Sequence, residues 1–327
     1  MRYLLALSSF IAAVLATART SPPSGALTVG SGGTYSTFQK AVNALSTSTT
    51  SAQSIFIYSG TYKEQVTIPA LKGKLTVYGY TTDTSSYSKN VVNIEHSSSL
   101  LSGAANDEET GTVINLSENT AFYNINIKNT YGKGSQAIAL AAYNTEQGYY
   151  GVGLYGYQDT LLTQIGNQVY AKCYIEGAVD WIFGQHSVAW FDGSTIAASA
   201  GGGCITANGR PSASDPSFYV LNKCTITTSS GSSAGAGSVY LGRPWSEYAR
   251  VAVQQSSESS VVNSAGWSVW STSTPNTGHV LFEEYNNSGT GASGTRASFS
   301  KKYTTPYTIS GVLGSSYSKW VDTSYLS

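Results

Sequence analysis

The sequence predicts an all-β solenoid, a parallel β-helix with one helix at its N-terminal end. Short β-rich runs are broken by Gly, Asn, Asp and Ser, and no series of long helices alternates with them. Apolar residues that follow a polar turn recur at spacings of 27, 21, 21 and 30 residues. These marker positions are Ile127, Leu154, Ile175, Ile196 and Ile226. A period in the twenties without helical periodicity is typical of stacked coils. Tandem hairpins of a β-sandwich would also repeat, although usually at shorter spacing.

The predicted helix spans residues 34–45. Phe38 and Val42 follow helical spacing, and Ser36 with Gln39 forms the pattern of a capping box. The open end of a β-helix would otherwise leave strand edges unprotected, and a helix can cover them. We therefore expect this helix to cap the N-terminal end of the solenoid.

The first 18 residues have the features of a secretory signal peptide. Arg2 gives a positively charged start, an apolar run follows at 4–15, and Ala16-Thr17-Ala18 offers small residues for cleavage. A membrane anchor is the alternative, but the apolar run is too short to span a bilayer. Residues 19–327 are expected to form one domain, although the length would also allow two. We expect the mature protein to be secreted and extracellular.

Composition excludes several classes of partner. Charged residues make up 11% of the chain and the formal net charge is zero, so no basic surface for nucleic acid is expected. Outside the predicted signal peptide, no apolar stretch is long enough to span a membrane. The three cysteines, Cys173, Cys204 and Cys224, lack metal-binding spacing, so no metal site is expected. A disulfide between Cys204 and Cys224 is one of the pairings that the sequence allows. Sequons for N-glycosylation occur at Asn115 and Asn286.

Two acids lie one coil apart in the predicted register. Asp159 follows Leu154 by five residues, and Asp180 follows Ile175 by five, so 21 residues separate the two acids. Stacked coils would place their backbones roughly 4.8 Å apart on adjacent rungs of one sheet. Apolar residues flank Asp180, and a carboxylate in such surroundings must be paired or used. The two aspartates are therefore a candidate catalytic pair.

Five sequence blocks resemble the signature blocks of the pectin methylesterases, a family of carbohydrate esterases. The blocks are GTYKEQV (60–66), QAIAL (136–140), GYQDTL (156–161), DWIFG (180–184) and LGRPW (241–245). They occur in the family's order, and essentially all of the mature chain is compatible with it. The resemblance implies a right-handed, single-stranded parallel β-helix. It also implies hydrolysis of the methyl esters of polygalacturonate (pectin) to methanol and free carboxylates, without a cofactor.

The resemblance also implies roles for the residues that match these blocks. Asp180 corresponds to the nucleophile, and Asp159 to the acid that protonates the leaving methanol and later acts as a base. Gln136 and Gln158 correspond to the donors that stabilise the oxyanion, and Arg243 to the residue that orients the nucleophile. An opposite charge at Arg243 would keep the pKa of Asp180 low, while the neighbouring like charge would raise the pKa of Asp159.

Two aromatic residues complete the predicted substrate groove. Trp245 and Trp181 are expected to contact the sugar, because sugars stack on aromatic faces. Trp181 stands where many members have Phe, and Asn208 where many have Gln. Gly193 occupies the place of a cysteine that pairs with the equivalent of Cys173 in some relatives. These departures leave both aspartates unchanged. We expect methyl-esterified homogalacturonan as the substrate and a monomeric protein.

Other functional classes fit the sequence less well. The stretch Gly231-Ser-Ser-Ala-Gly235 matches the G-x-S-x-G pattern of serine hydrolases, but it lies in a low-complexity loop and no histidine has triad spacing. A retaining glycosidase would also use two carboxylates about 5 Å apart, and a lyase would need more acids for calcium. A carbohydrate-binding module would keep the aromatics but has no use for apposed aspartates. Methanol release without chain shortening distinguishes the esterase from these classes.

Overall fold

The computed structural model of the protein describes residues 17–327, so most of the predicted signal peptide lies outside the described residues. Within that range the strands form three parallel sheets of eleven, eight and seven strands. Successive coils pass through the eleven-, the eight- and then the seven-stranded sheet. This architecture is a parallel β-helix, as the sequence predicts. The helices between residues 17 and 327 lack the length and apolar character needed to cross a bilayer.

The strands of each sheet are short and their bounds are as follows. The eleven-stranded sheet contains Leu27–Val29, Gln53–Ile57, Leu75–Gly79, Thr120–Tyr123, Gln147–Tyr150, Ile165–Ala171, His186–Asp192, Phe218–Asn222, Arg250–Gln254, Leu281–Tyr285 and Ser300–Lys302. The eight-stranded sheet contains Gly60–Lys63, Val92–His96, Asn126–Asn129, Gly153–Tyr155, Tyr174–Gly177, Thr195–Ala198, Thr225–Thr228 and Ser257–Glu258. The seven-stranded sheet contains Val66–Ile68, Val113–Asn115, Leu140–Ala142, Leu161–Thr163, Ile182–Gly184, Cys204–Asn208 and Tyr240–Pro244.

The five marker positions stack on a single ladder of the eight-stranded sheet. Their Cα partners run in the order Ile127, Leu154, Ile175, Ile196 and Ile226. All five side chains are buried in one cluster that also contains residues from the first and last coils. Because every coil buries its apolar face against the next, the repeat in the sequence is a repeat in space. The predicted register is confirmed.

On each coil, the strand that carries the marker is joined to the preceding strand by a sharp bend. Asn124, Lys172 and Lys223 form such bends, with φ of 53°, 52° and 52°. Gly151 and Gly193 occupy the equivalent places on other coils, with φ of 58° and 55°. The left-handed region is uncommon for residues other than glycine, and here neighbouring coils hold it in place. At Asn124, Lys172 and Lys223 the bend is the polar turn that precedes the marker in the sequence.

The N-terminal helix, Phe38–Asn43, is shorter than the predicted 34–45. Its N-cap is Thr37, whose side chain accepts a hydrogen bond from the Lys40 amide, so the predicted Ser36 capping box is wrong. Its apolar side packs against Leu27–Val29 and Val66–Ile68. That the helix caps the end of the solenoid stays a prediction.

A carboxylate from the first coil anchors this helix. The Glu64 side chain accepts hydrogen bonds from the backbone amides of Phe38 and Gln39, at 2.8 and 2.9 Å. A negative charge at the N-terminus of a helix satisfies unpaired amides and opposes the helix dipole. The GTYKEQV block therefore braces the first coil.

The remaining helices are short. A second α-helix, Ile309–Leu313, packs against strand His186–Asp192. Single-turn 3₁₀ helices occur at Tyr87–Lys89, Leu100–Ser102, Glu108–Thr110, Thr290–Ala292, Tyr317–Lys319 and Thr323–Tyr325. The three cysteines are buried and free, so the Cys204–Cys224 disulfide is not formed.

Candidate active site

The two aspartates occupy equivalent turns of neighbouring coils, just before strands of the seven-stranded sheet. Asp159 precedes Leu161–Thr163 and Asp180 precedes Ile182–Gly184, and these strands pair in parallel register. The Asp159 amide donates to the Val179 carbonyl at 3.0 Å. The one-coil spacing in the sequence therefore places the two acids on adjacent rungs.

Both aspartates adopt the left-handed backbone conformation. Their φ angles are 64° at Asp159 and 49° at Asp180. Asp and Asn tolerate this region better than other residues with side chains, but it is still sparsely populated. Backbone strain of this kind clusters at functional sites and persists only when the surrounding structure holds it. Here the stacked coils hold it, since the Asp180 amide donates to the Cys204 carbonyl of the next coil at 2.8 Å.

Arg243 binds the Asp180 carboxylate with two hydrogen bonds. Nε donates to Oδ1 at 3.0 Å and Nη2 donates to Oδ2 at 2.6 Å. Arg243 lies in strand Tyr240–Pro244, two coils beyond the strand that follows Asp180. The Asp180 side chain is only 8% exposed, so its carboxylate is largely shielded from water, whereas the Arg243 side chain is 28% exposed. A bidentate guanidinium both neutralises the carboxylate and fixes its orientation.

Trp270 supports the guanidinium, although no sequence block predicts a role for it. Its carbonyl accepts a hydrogen bond from Arg243 Nη1 at 3.4 Å, and its ring centroid lies 4.3 Å from Arg243 Cζ. Such a cation–π contact stabilises the charged form of arginine. The signal available in the sequence was the pair of tryptophans in GWSVW (266–270).

The two carboxyl groups have different acidities. Burial and then the charge of Asp180 raise the pKa of Asp159 well above its ordinary value. Burial also raises the pKa of Asp180, but the hydrogen bonds and charge of Arg243 act against that increase. The expectation of a low pKa at Asp180 is therefore wrong, because burial outweighs the guanidinium. The structure retains the predicted contrast between an acid with a counter-ion and an acid without one.

Most of the predicted site residues line a single pocket. It is lined by Asp107, Gln136, Gln158, Asp159, Asp180, Phe183, Ala207, Arg243, Trp245 and Trp270. The side-chain oxygen of Gln136 accepts from Ser135 Oγ at 3.2 Å, which leaves its amide N–H groups free to donate into the pocket. No group of three or more metal-ligating side chains is found within residues 17–327.

Trp181 is not part of this pocket. Its side chain is 0% exposed and belongs to the main apolar core. The backbone of Gly177 packs so closely on it that a side chain there would collide with Trp181. Its indole N–H has no partner among the described residues. The prediction that Trp181 contacts substrate is wrong, because at this turn the residue after Asp180 points into the solenoid.

The sequence profile of the pectinesterase family matches residues 27–308. The chain belongs to the pectinesterase family. It is 53% identical over 330 residues to a pectinesterase of Aspergillus niger, with 100% of this chain and 99% of that protein covered. A pectinesterase of Aspergillus aculeatus is 52% identical over 329 residues, with 99% of each chain covered.

Solved pectinesterase structures share the fold. The crystal structure of the pectin methylesterase from Aspergillus niger in deglycosylated form has a TM-score of 0.89 and 44% identity, covering 94% of this chain and 100% of that one. Pectin methylesterase from carrot has a TM-score of 0.82 and 27% identity, covering 94% and 98%. This pectinesterase is therefore a carboxylic ester hydrolase that acts on the methyl esters of pectin. The family and activity implied by the sequence blocks are confirmed.

Replacing Trp181 with phenylalanine is expected to leave pectinesterase activity almost unchanged. The variant removes an unpaired buried N–H and keeps an aromatic ring in the core, so stability should change by less than about 2 kcal/mol. We expect kcat/KM for methanol release to stay within about threefold of the parent value. Urea unfolding and a methanol assay check both values. The matched Trp245→Phe variant alters the pocket wall and should lose more activity, and the reverse order would contradict this placement of Trp181.

Proposed function

We propose that Asp180 is the nucleophile and Asp159 the acid and base of the esterase reaction. The observation that carries this proposal is the bidentate Asp180–Arg243 pair beside a second buried carboxyl without a cation of its own. An ionised carboxylate held in one orientation can attack an ester carbon, and a carboxyl of raised pKa can donate a proton. The pair titrates as a unit, so the roles describe the productive protonation state.

In the first half of the proposed reaction, an Asp180 oxygen attacks the ester carbonyl carbon. The carbonyl oxygen becomes an oxyanion that accepts hydrogen bonds from the side-chain amides of Gln136 and Gln158, and each such donor is worth roughly a hundred- to a thousandfold in rate. The C–O bond to the methoxy group then breaks, and Asp159 gives its proton to the leaving oxygen. Methanol departs and an acyl-enzyme anhydride on Asp180 remains.

In the second half, Asp159 acts as a base. It takes a proton from a water molecule that attacks the acyl carbon, and the same two amides hold the second oxyanion. The bond to Asp180 breaks, which regenerates its carboxylate and leaves a free galacturonate carboxyl group. One ester and one water are consumed, and one methanol and one acid are formed. Trp245 supplies an aromatic face for the sugar at the edge of the pocket.

The proposed substrate is methyl-esterified homogalacturonan, and the proposed active form is a secreted monomer of one domain, residues 19–327. The two sequons differ in accessibility, which bears on the secreted form. Asn115 is fully buried, and its amide donates to Thr120 and Tyr149. Asn286 is exposed at a turn. An N-linked glycan is therefore compatible with the fold at Asn286 and not at Asn115.

The purified protein is expected to release methanol from methyl-esterified pectin without shortening the polymer. Methanol is measured by an alcohol oxidase assay, polymer length by size-exclusion chromatography, and new reducing ends by a colorimetric assay. A fully de-esterified polygalacturonate serves as the matched control and should give no methanol. Cleavage of the polymer without methanol would instead support the retaining glycosidase that two close carboxylates would also allow.

A further inference from the structure

The catalytic pocket contains a third carboxylate, at Asp107, that the proposed mechanism does not use. Asp107 lines the pocket together with Asp159 and Asp180. Its Oδ1 is shielded from solvent and has no hydrogen-bond partner among residues 17–327. A shielded carboxylate oxygen without a partner costs free energy, and such groups in native proteins often have a functional role.

The fold fixes Asp107 next to the oxyanion donors. Its carbonyl accepts hydrogen bonds from the Thr110 amide at 3.1 Å and from Thr110 Oγ1 at 2.7 Å. Thr110 Oγ1 in turn accepts from the Ile138 amide at 3.0 Å, two residues after Gln136. The segment that precedes Asp107 also contacts the Gln136 coil, since the Leu100 amide donates to the Gln136 carbonyl at 3.3 Å. Asp107 is therefore held by the coil that carries Gln136.

The charges of the pocket are unbalanced. Arg243 is the only cationic residue among the described residues that line it. Its Nε and Nη2 bind Asp180, and its Nη1 binds the Trp270 carbonyl. The reaction converts a neutral methyl ester into an anionic carboxylate at this place. A product carboxylate in the pocket would thus meet the carboxylates of Asp107 and Asp180 and a guanidinium that is already paired with Asp180.

We propose that Asp107 determines specificity for the neutral methyl ester over the free galacturonate carboxylate, so that the product is repelled and does not rebind. This inference rests on the proposed function of the pocket. In this role Asp107 lines the pocket in which the ester binds, but it takes no part in bond making or breaking. Its charge acts on the bound ester weakly and on the bound product strongly, because only the product carries a full negative charge.

Two further observations support the placement of Asp107. Its charge is one of the causes that raise the pKa of Asp159, so the two acids are close enough to interact. Asp107 also lines an adjoining pocket with Glu108, Tyr143 and Trp245, and no lysine or arginine lines that pocket within the described chain. The product carboxylate therefore finds no free cation on either side of Asp107.

Asp107→Asn tests the proposal through product inhibition. The KM for highly esterified pectin and the inhibition constant of fully de-esterified polygalacturonate are measured for the parent protein and the variant, with methanol release as the readout. We expect the ratio of inhibition constant to KM to fall about three- to tenfold, as one nearby like charge is removed. A purely structural role would change activity without changing this ratio. An unchanged ratio in a folded Asp107→Asn variant would overturn the proposal.

Glu108→Gln is the matched control, because it removes the same charge from the next residue, which lines only the adjoining pocket. For Glu108→Gln the ratio of inhibition constant to KM should stay within about twofold of the parent value. An effect as large as that of Asp107→Asn would show that the selectivity does not depend on Asp107 specifically. Asp107→Ser gives a second, smaller replacement if the asparagine variant is poorly folded, and it should lower the ratio in the same direction. A parent protein that releases no methanol would refute the proposed function itself.

Discussion

Asp180→Asn is expected to abolish methanol release while the β-helix stays folded. The amide cannot attack an ester carbon as a carboxylate does, and removal of a nucleophile typically costs at least about a thousandfold in kcat. Asn is the appropriate replacement because it tolerates the φ of 49° at this position, where Ala would add strain. Its side-chain oxygen can still accept a hydrogen bond from Arg243.

Circular dichroism and thermal unfolding of the variant should match the parent protein, and methanol release on pectin gives the activity. Asp159→Asn is the matched control, since it makes the same change in the equivalent turn one coil earlier. It should cost roughly a hundred- to ten-thousandfold, the usual contribution of a general acid and base. Full activity in a folded Asp180→Asn variant would rule out Asp180 as the nucleophile.

Arg243→Gln is expected to lower kcat/KM by about a hundred- to a thousandfold and to move the acidic limb of its pH profile to higher pH. Asp180 must be ionised to attack, so activity is lost as the pH falls through its pKa. Burial raises that pKa and Arg243 opposes the increase. Without the guanidinium the pKa of Asp180 rises further, so at a given pH a larger fraction of the molecules carry a protonated, inactive Asp180. The loss of bidentate orientation lowers the rate even where Asp180 is ionised.

Arg243→Lys separates the effect of charge from that of geometry. Lysine keeps a positive charge but cannot form the two parallel hydrogen bonds to Oδ1 and Oδ2. Its acidic limb should therefore shift less than that of Arg243→Gln, although its rate should remain well below the parent rate. Measurements of kcat/KM across acidic to neutral pH decide the point. An acidic limb in Arg243→Gln that stays in place or moves to lower pH would contradict the proposed pairing.

Much of the fold could be predicted because each coil carries its own signal. A buried residue recurs at every coil. Because the coils stack directly on each other, residues that are one period apart in the sequence become neighbours in space. The same register predicts that Asp159 and Asp180 lie on adjacent rungs, because their spacing in the sequence equals one coil. The bends at Asn124 and Lys172 are the polar turns that precede two of the markers, but the spacing does not reveal their left-handed backbone conformation.

The sequence alone predicts the solenoid, its register, the pair of aspartates and, through the LGRPW block, the arginine that binds one of them. These features depend on residues that repeat at coil spacing or stand in short blocks. The direction of each side chain and the loops that line the site are set by the packing of the coils. This packing placed Trp181 in the core and brought Trp270 and Asp107 into the pocket from loops distant in the chain. Loop residues follow no period, so their contacts depend on how the coils pack and cannot be read from spacing.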